Sequence, residues 1–273
     1  MIFIDTHAHF YECFNFQKLL DAAVKNFDCA SENSRDTSHQ IYVIILIGIK
    51  GFNRFKGLAQ QSSHRTSYRS IPKKSWQISP TSDPDAFIAF RKDQKELVLV
   101  PGCQIVTREK LEVLALLTQK IFEEGVDLVD TVQAVLDAGG IVSLPWGFGK
   151  WTGKRGELLK EMITDRFGKR IFLGDNGNRP QGGGTPSMFK IAVNQGLGVL
   201  SGTDTLPLKN EELRTGSFCS IIDARLDRTR PASHLKTLLT GTDVCISHYG
   251  KNMELVKFAK NQLRLRLRRF FPQ

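Results

Sequence analysis

Ile4-Asp5-Thr6-His7-Ala8-His9 closes the first apolar run of the chain, Ile2-Phe3-Ile4, and its reading decides the fold. Alternate residues of a β-strand point to one side, so His7 and His9 are expected to present their imidazoles together at the strand's end. Two imidazoles so placed can share one metal ion. Polar residues simply ending a strand are the alternative. If this strand opens a barrel of parallel strands, the pair lies at the C-terminal face, where such folds carry their chemistry.

Working outward, short β-branched runs alternate with helical stretches. Ile2 to Ile4 precedes Phe16 to Phe27, and Ile41 to Ile49 precedes a long polar segment. Leu97 to Val100 precedes a stretch read as helical, Arg108 to Leu117. Ile141 to Leu144, Arg170 to Leu173 and Leu197 to Leu200 then precede Gly156 to Phe167, Pro186 to Gln195 and a helix from Glu211. Near-continuous apolar strands separated by helices predict parallel strands covered by helices. The expected fold class is α/β, a (β/α) TIM-like barrel of seven or eight parallel strands, although an open doubly wound sheet satisfies the same pattern.

The chain's 273 residues, 41% of them apolar, suffice for one substantial core, and residues 1–273 are read as a single domain. Residues 50–85, rich in Ser, Gln, Arg and Lys, are expected to form a long loop over the barrel mouth. Within it, Ser62-Ser63-His64-Arg65 could reach a ligand, but a solvated loop suits the composition better. A basic tail, with Arg264, Arg266, Arg268 and Arg269 between leucines, is expected to pack through Leu263, Leu265 and Leu267.

The net charge of +10 favours anionic partners and says nothing about fold. Five cysteines without a C-x-x-C pair argue against a disulfide framework or a zinc knuckle and fit a reducing cytoplasm. The start lacks the basic head and apolar stretch of a secretory signal, and Ile41 to Ile49 is too short to span a bilayer. Cytoplasmic location without membrane association is the expectation, and composition leaves the oligomeric state open.

The apolar-Asp-Thr-His-x-His opening resembles that of PHP-type phosphoesterases and of amidohydrolases. Three further segments resemble PHP motifs in the same order: Val100-Pro101-Gly102-Cys103-Gln104-Ile105, Phe172-Leu173-Gly174-Asp175-Asn176 and Ser201-Gly202-Thr203-Asp204. The resemblance covers most of residues 1–210 and implies a metal-dependent hydrolase. Departures are equally plain. Gln104 stands where the family has a bridging glutamate, Leu144-Pro145-Trp146 lacks the family's histidine, Leu206 replaces a second histidine, and Glu112 stands where another is expected.

The resemblance therefore implies a reduced metal site: one divalent ion, zinc, manganese or iron, on His7, His9 and Asp204. Asp204 and Asp175 are the expected catalytic carboxylates, orienting water or accepting its proton. Without the resemblance, Asp204 reads equally as a turn or capping residue. The loop from Leu144 to Gly156 carries Lys150, Lys154 and Arg155, with Trp146 and Trp151 as a possible stacking wall. It lacks the phosphate-loop spacing but could hold an anion. Gln104, together with Arg179 of a second glycine-rich loop, Asp175 to Pro186, completes the expected substrate contacts.

The functional expectation is a metal-dependent hydrolase of a phosphorylated or other anionic small molecule. A non-catalytic ligand-binding barrel that has lost its metal centre is the rival. Nucleic-acid binding has charge alone in its favour and is not expected.

Overall fold

A computed structural model describes residues 1–32, 40–50, 55–62, 75–241 and 244–270. His64 and Arg65 lie outside them. The strands are β1 (Ile2–His9), β2 (Ile41–Gly48), β3 (Gln77–Pro80), β4 (Phe87–Phe90), β5 (Glu96–Val106), β6 (Glu112–Leu116), β7 (Ile141–Pro145), β8 (Ile171–Asn176), β9 (Val199–Gly202), β10 (Cys219–Ile222) and β11 (Ile246–Tyr249). The helices are α1 (Phe16–Ser31), α2 (Phe55–Ser62), α3 (Leu128–Asp137), α4 (Gly153–Glu161), α5 (Ser187–Asn194), α6 (Pro231–Thr240) and α7 (Leu255–Phe270).

The fold is mixed α/β, with one nearly closed, barrel-like sheet in the order β11-β10-β1-β2-β5-β6-β7-β8-β9. Parallel pairs are β1–β2, β2–β5, β7–β8 and β8–β9, while β5–β6, β6–β7, β1–β10 and β10–β11 are antiparallel. The expected all-parallel arrangement therefore fails at β6, at β10 and β11, and where β4 pairs antiparallel with β5. Arg108 to Leu117, read as a helix, instead turns at Thr107–Leu111, where the Thr107 amide donates to the Leu111 carbonyl (2.9 Å), and returns as β6. Such a tight hairpin joins antiparallel neighbours, whereas a parallel crossover needs a dozen or more residues. A helix from Glu211 is likewise replaced by a short 3-10 turn, Glu211–Arg214.

Within residues 50–85 the structure has α2 and β3. β3 pairs with β4, which pairs with Glu96 to Leu99 at the start of β5, so β3 lies at the opposite end from the mouth. Among the described residues no helix is long and apolar enough to cross a membrane.

Two apolar layers follow from strand alternation. Ile2, Ile4, Val43, Ile45, Val98, Val100, Leu114, Leu116, Phe172 and Leu200 fill the interior. Phe3, Ile44, Leu46, Leu97 and Leu99 face outward onto Leu19, Leu20 and Phe27 of α1. Leu144, Leu173 and their neighbours face α3, α4 and α5. The tail is helical, and an alternating leucine pattern cannot occupy one helix face. Leu263 and Leu267 are accordingly exposed, and α7 docks through Phe258 and Asn261.

Candidate metal centre

A β-bulge positions the histidines. Asp5 pairs with Ile44 and Ala8 with Leu46, so β1 advances three residues while β2 advances two. Uninterrupted alternation from Ile2 and Ile4 would turn Thr6 and Ala8 inward. The extra residue shifts the phase, so His7 and His9 face the interior and Ala8 packs outward.

The strand run β9 to Thr205 lies against β1 and nearly closes the sheet through side chains as well as backbone. Thr6 Oγ1 donates to the Ser201 carbonyl (3.0 Å), and the Asp204 amide donates to the His7 carbonyl (2.6 Å). Thr205 Oγ1 accepts from the His9 amide (3.0 Å) and donates to the His9 carbonyl (2.8 Å). A Cβ on Gly202 would stand 2.3 Å from the His7 nitrogen, so this approach demands glycine.

Asp5 ties the seam from beneath. Its buried carboxylate accepts from the Thr203 amide (2.8 Å) and hydroxyl (2.5 Å), the Gly216 amide (2.8 Å) and the His7 amide (3.2 Å). Burial pushes its pKa upward against the pull of these donors.

At the mouth, His7 Nε2 and His9 Nε2 are 3.1 Å apart, with Asp204 Oδ1 at 3.5 and 3.7 Å from them. Metal–nitrogen bonds of about 2.0–2.1 Å in a tetrahedral shell hold two nitrogens roughly 3.3 Å apart, so the spacing fits a shared ion. His9 Nδ1 lies 3.2 Å from the Ile47 carbonyl. A carbonyl only accepts, so Nδ1 carries the hydrogen and Nε2 offers its lone pair inward, the tautomer a metal requires. Burial, with the adjacent His7 next in weight, depresses the His9 pKa to about 4 despite the opposing pull of Asp204. Among the described residues these three form the grouping whose donor atoms converge closely enough for an ion.

Asp204 holds a left-handed backbone conformation, φ 51°, unusual for a non-glycine residue. The Asn178 side-chain amide grips its carbonyl. Gln104 Oε1 stands 3.3 Å from His7 Nε2 and could serve as a neutral oxygen ligand. Because β6 runs antiparallel, its first residue, Glu112, arrives at the mouth end of the sheet opposite Val106. There it pairs with Lys150 from the loop after β7.

Other expected contacts go elsewhere. Asp175 is paired with Arg179 through two bonds (2.9 and 2.8 Å), and Arg179 also donates to the Gly184 carbonyl. This pair borders a groove between β9, α5 and β11, and Asp175 does not join the metal-ligand grouping. Arg155 donates to the Gly149 carbonyl (2.8 Å), pinning its own loop, and Lys154 is exposed. Trp146 and Trp151 are partly buried and pack against the outer apolar layer, Trp151 edge-on to Phe189.

Tyr11 escaped the sequence reading, although it continues the i, i+2 series from His7 and His9. Its ring lies 5.2 Å from that of His9. Burial pushes its pKa upward, and the nearby Asp204 and Glu112 carboxylates push the same way, so the phenol keeps its proton.

No family model and no curated protein matches the chain. A solved structure does: the crystal structure of PsfC from Pseudomonas syringae PB-5123, with TM-score 0.52 and 12% identity, covering 98% of this chain and 97% of that one. At that identity the likeness concerns the overall fold, which this chain shares along nearly its full length.

Proposed function

We propose that the protein is a metal-dependent hydrolase of a phosphorylated or otherwise anionic small molecule, built on a modified (β/α) barrel of the PHP and amidohydrolase kind. The observation carrying this reading is the convergence of His7 Nε2, His9 Nε2 and Asp204 Oδ1 at the mouth, with the His9 tautomer set by Ile47. The donor set suits zinc, manganese or iron. When bound, such an ion supplies a Lewis acid that polarises an acyl or phosphoryl oxygen and acidifies water.

The remaining work falls to side chains. Asp204, partly exposed, can accept the proton of the attacking water. Lys150 supplies positive charge at the substrate's edge, and the Tyr11 hydroxyl can donate to a substrate oxygen. Asp175 is assigned no catalytic step, because Arg179 engages both of its oxygens.

The rival reading, a ligand-binding barrel without catalysis, is favoured by Gln104, which places a neutral amide beside His7. Metal analysis of protein purified without chelator, with a screen of phosphate esters, separates the two. Stoichiometric metal and ester hydrolysis, both lost in His7→Ala, support the enzyme. A metal-free, inactive protein that still binds anionic ligands supports the rival.

A further inference from the structure

Helix α7 carries a concentration of exposed apolar side chains that the candidate metal centre does not explain. Eight large hydrophobics stand substantially exposed among the described residues, and four are on this helix: Leu255 (63%), Val256 (79%), Leu263 (60%) and Leu267 (50%). A fifth, Phe148, sits edge-to-face on Phe258 of the same helix, ring centroids 5.2 Å apart. Scattered exposed leucines need no explanation, but a contiguous stripe does.

Helical geometry makes it a stripe. At about 100° per residue, Leu263 and Leu267 fall within roughly 20° of Val256. Phe258, Asn261 and the half-buried Leu265 lie on the opposite side, where α7 packs against the body of the protein. Lys260 lies beside the stripe, with Arg264 and Arg266 exposed on its two flanks. The helix thus has a docked side and an outward side, and the outward side is apolar along its centre and cationic at its edges.

We propose that this face of α7 docks onto an anionic lipid surface. Apolar residues between long cationic side chains are the pattern of an interfacial helix: the apolar stripe enters the headgroup boundary while lysine and arginine stems reach anionic headgroups. Nucleic acid would reward the cations but not Val256, Leu263 and Leu267. Exposed Lys260, Arg264 and Arg266 beside the stripe match a surface that is apolar within and anionic at its boundary, which favours lipid over a protein groove. The chain's net charge of +10 acts in the same direction.

The test is sedimentation of the full chain with vesicles of phosphatidylcholine alone and with about 30% phosphatidylserine added. The parent protein should pellet with the anionic vesicles, not the neutral ones, and should be released by raised salt. Val256→Ser/Leu263→Ser/Leu267→Ser and Lys260→Gln/Arg264→Gln/Arg266→Gln should each weaken binding by at least about tenfold, with circular dichroism and melting unchanged because the altered residues are exposed. Failure of the parent to bind at low salt overturns the proposal. So does unchanged binding by the serine variant, which would leave only diffuse charge attraction. A dimer in ultracentrifugation that the serine variant abolishes would assign the face to a second copy instead. Competition by duplex DNA that leaves the serine variant unaffected would assign it to nucleic acid.

Discussion

At the scale of single residues, the seam between β1 and the β9 run has almost no tolerance. A Gly202→Ala methyl would stand 2.3 Å from the His7 nitrogen and 2.8 Å from its Cα, and backbone on both sides cannot yield without parting the seam. We expect a loss of at least about 3 kcal/mol, read as a fall in melting temperature, together with loss of metal binding. The His9 imidazole gives a pH signature in metal-free protein. Its pKa is lowered from 6.5 to about 4 by burial, so between those values the unfolded chain binds more protons than the folded one. The stabilising contribution is complete above pH 6.5 and is lost as pH falls towards 4. Its full size is of order 3 kcal/mol. Denaturant unfolding at pH 7 and pH 4.5 checks the sign, and equal stability there would refute it.

At the scale of elements, β1 and the run leading out of β9 depend on each other. Thr205 satisfies both the amide and the carbonyl of His9 through one hydroxyl. Thr205→Val preserves shape but strands two buried backbone groups, each worth about 1–3 kcal/mol when left unsatisfied. We expect destabilisation of that order and weaker metal binding, whereas Thr205→Ser should retain both, as calorimetry with and without added zinc would measure. That His7 and His9 share one side of β1 was legible from their spacing. The bulge that turns this side inward along with Ile2 and Ile4 was not, because it is an offset between β1 and β2 and leaves no local mark. The β5–β6 hairpin was missed for a related reason. Glu112 to Leu117 is apolar enough for a helix or a strand, and the pairing with β5 and β7 decides it.

At the scale of the whole molecule, the mouth gathers residues from distant parts of the chain: His7 and His9, Gln104, Glu112, Lys150 and Asp204. Gln104→Glu would place a carboxylate near the two imidazoles, and we expect tighter metal binding, by tenfold or more, in competition with a chelator. Lys150→Met should raise KM for an anionic ester more than it lowers kcat if the lysine chiefly attracts substrate. Equal loss in kcat and kcat/KM would mean that it acts only in the transition state.

By itself the sequence determined the strand–helix steps β1–α1, β7–α4 and β8–α5 and the candidates His7, His9 and Asp204, because each follows from local periodicity, residue chemistry or a short motif. Tertiary structure alone decided the antiparallel insertion of β6, the retreat of Asp175 into its pair with Arg179, the approach of Lys150 to Glu112, and the exposure of Leu263 and Leu267. The physical reason is common to all four. A side chain's partner and its burial are set by which elements meet, and strand pairing, loop closure and helix docking join residues whose separation along the chain carries no signal.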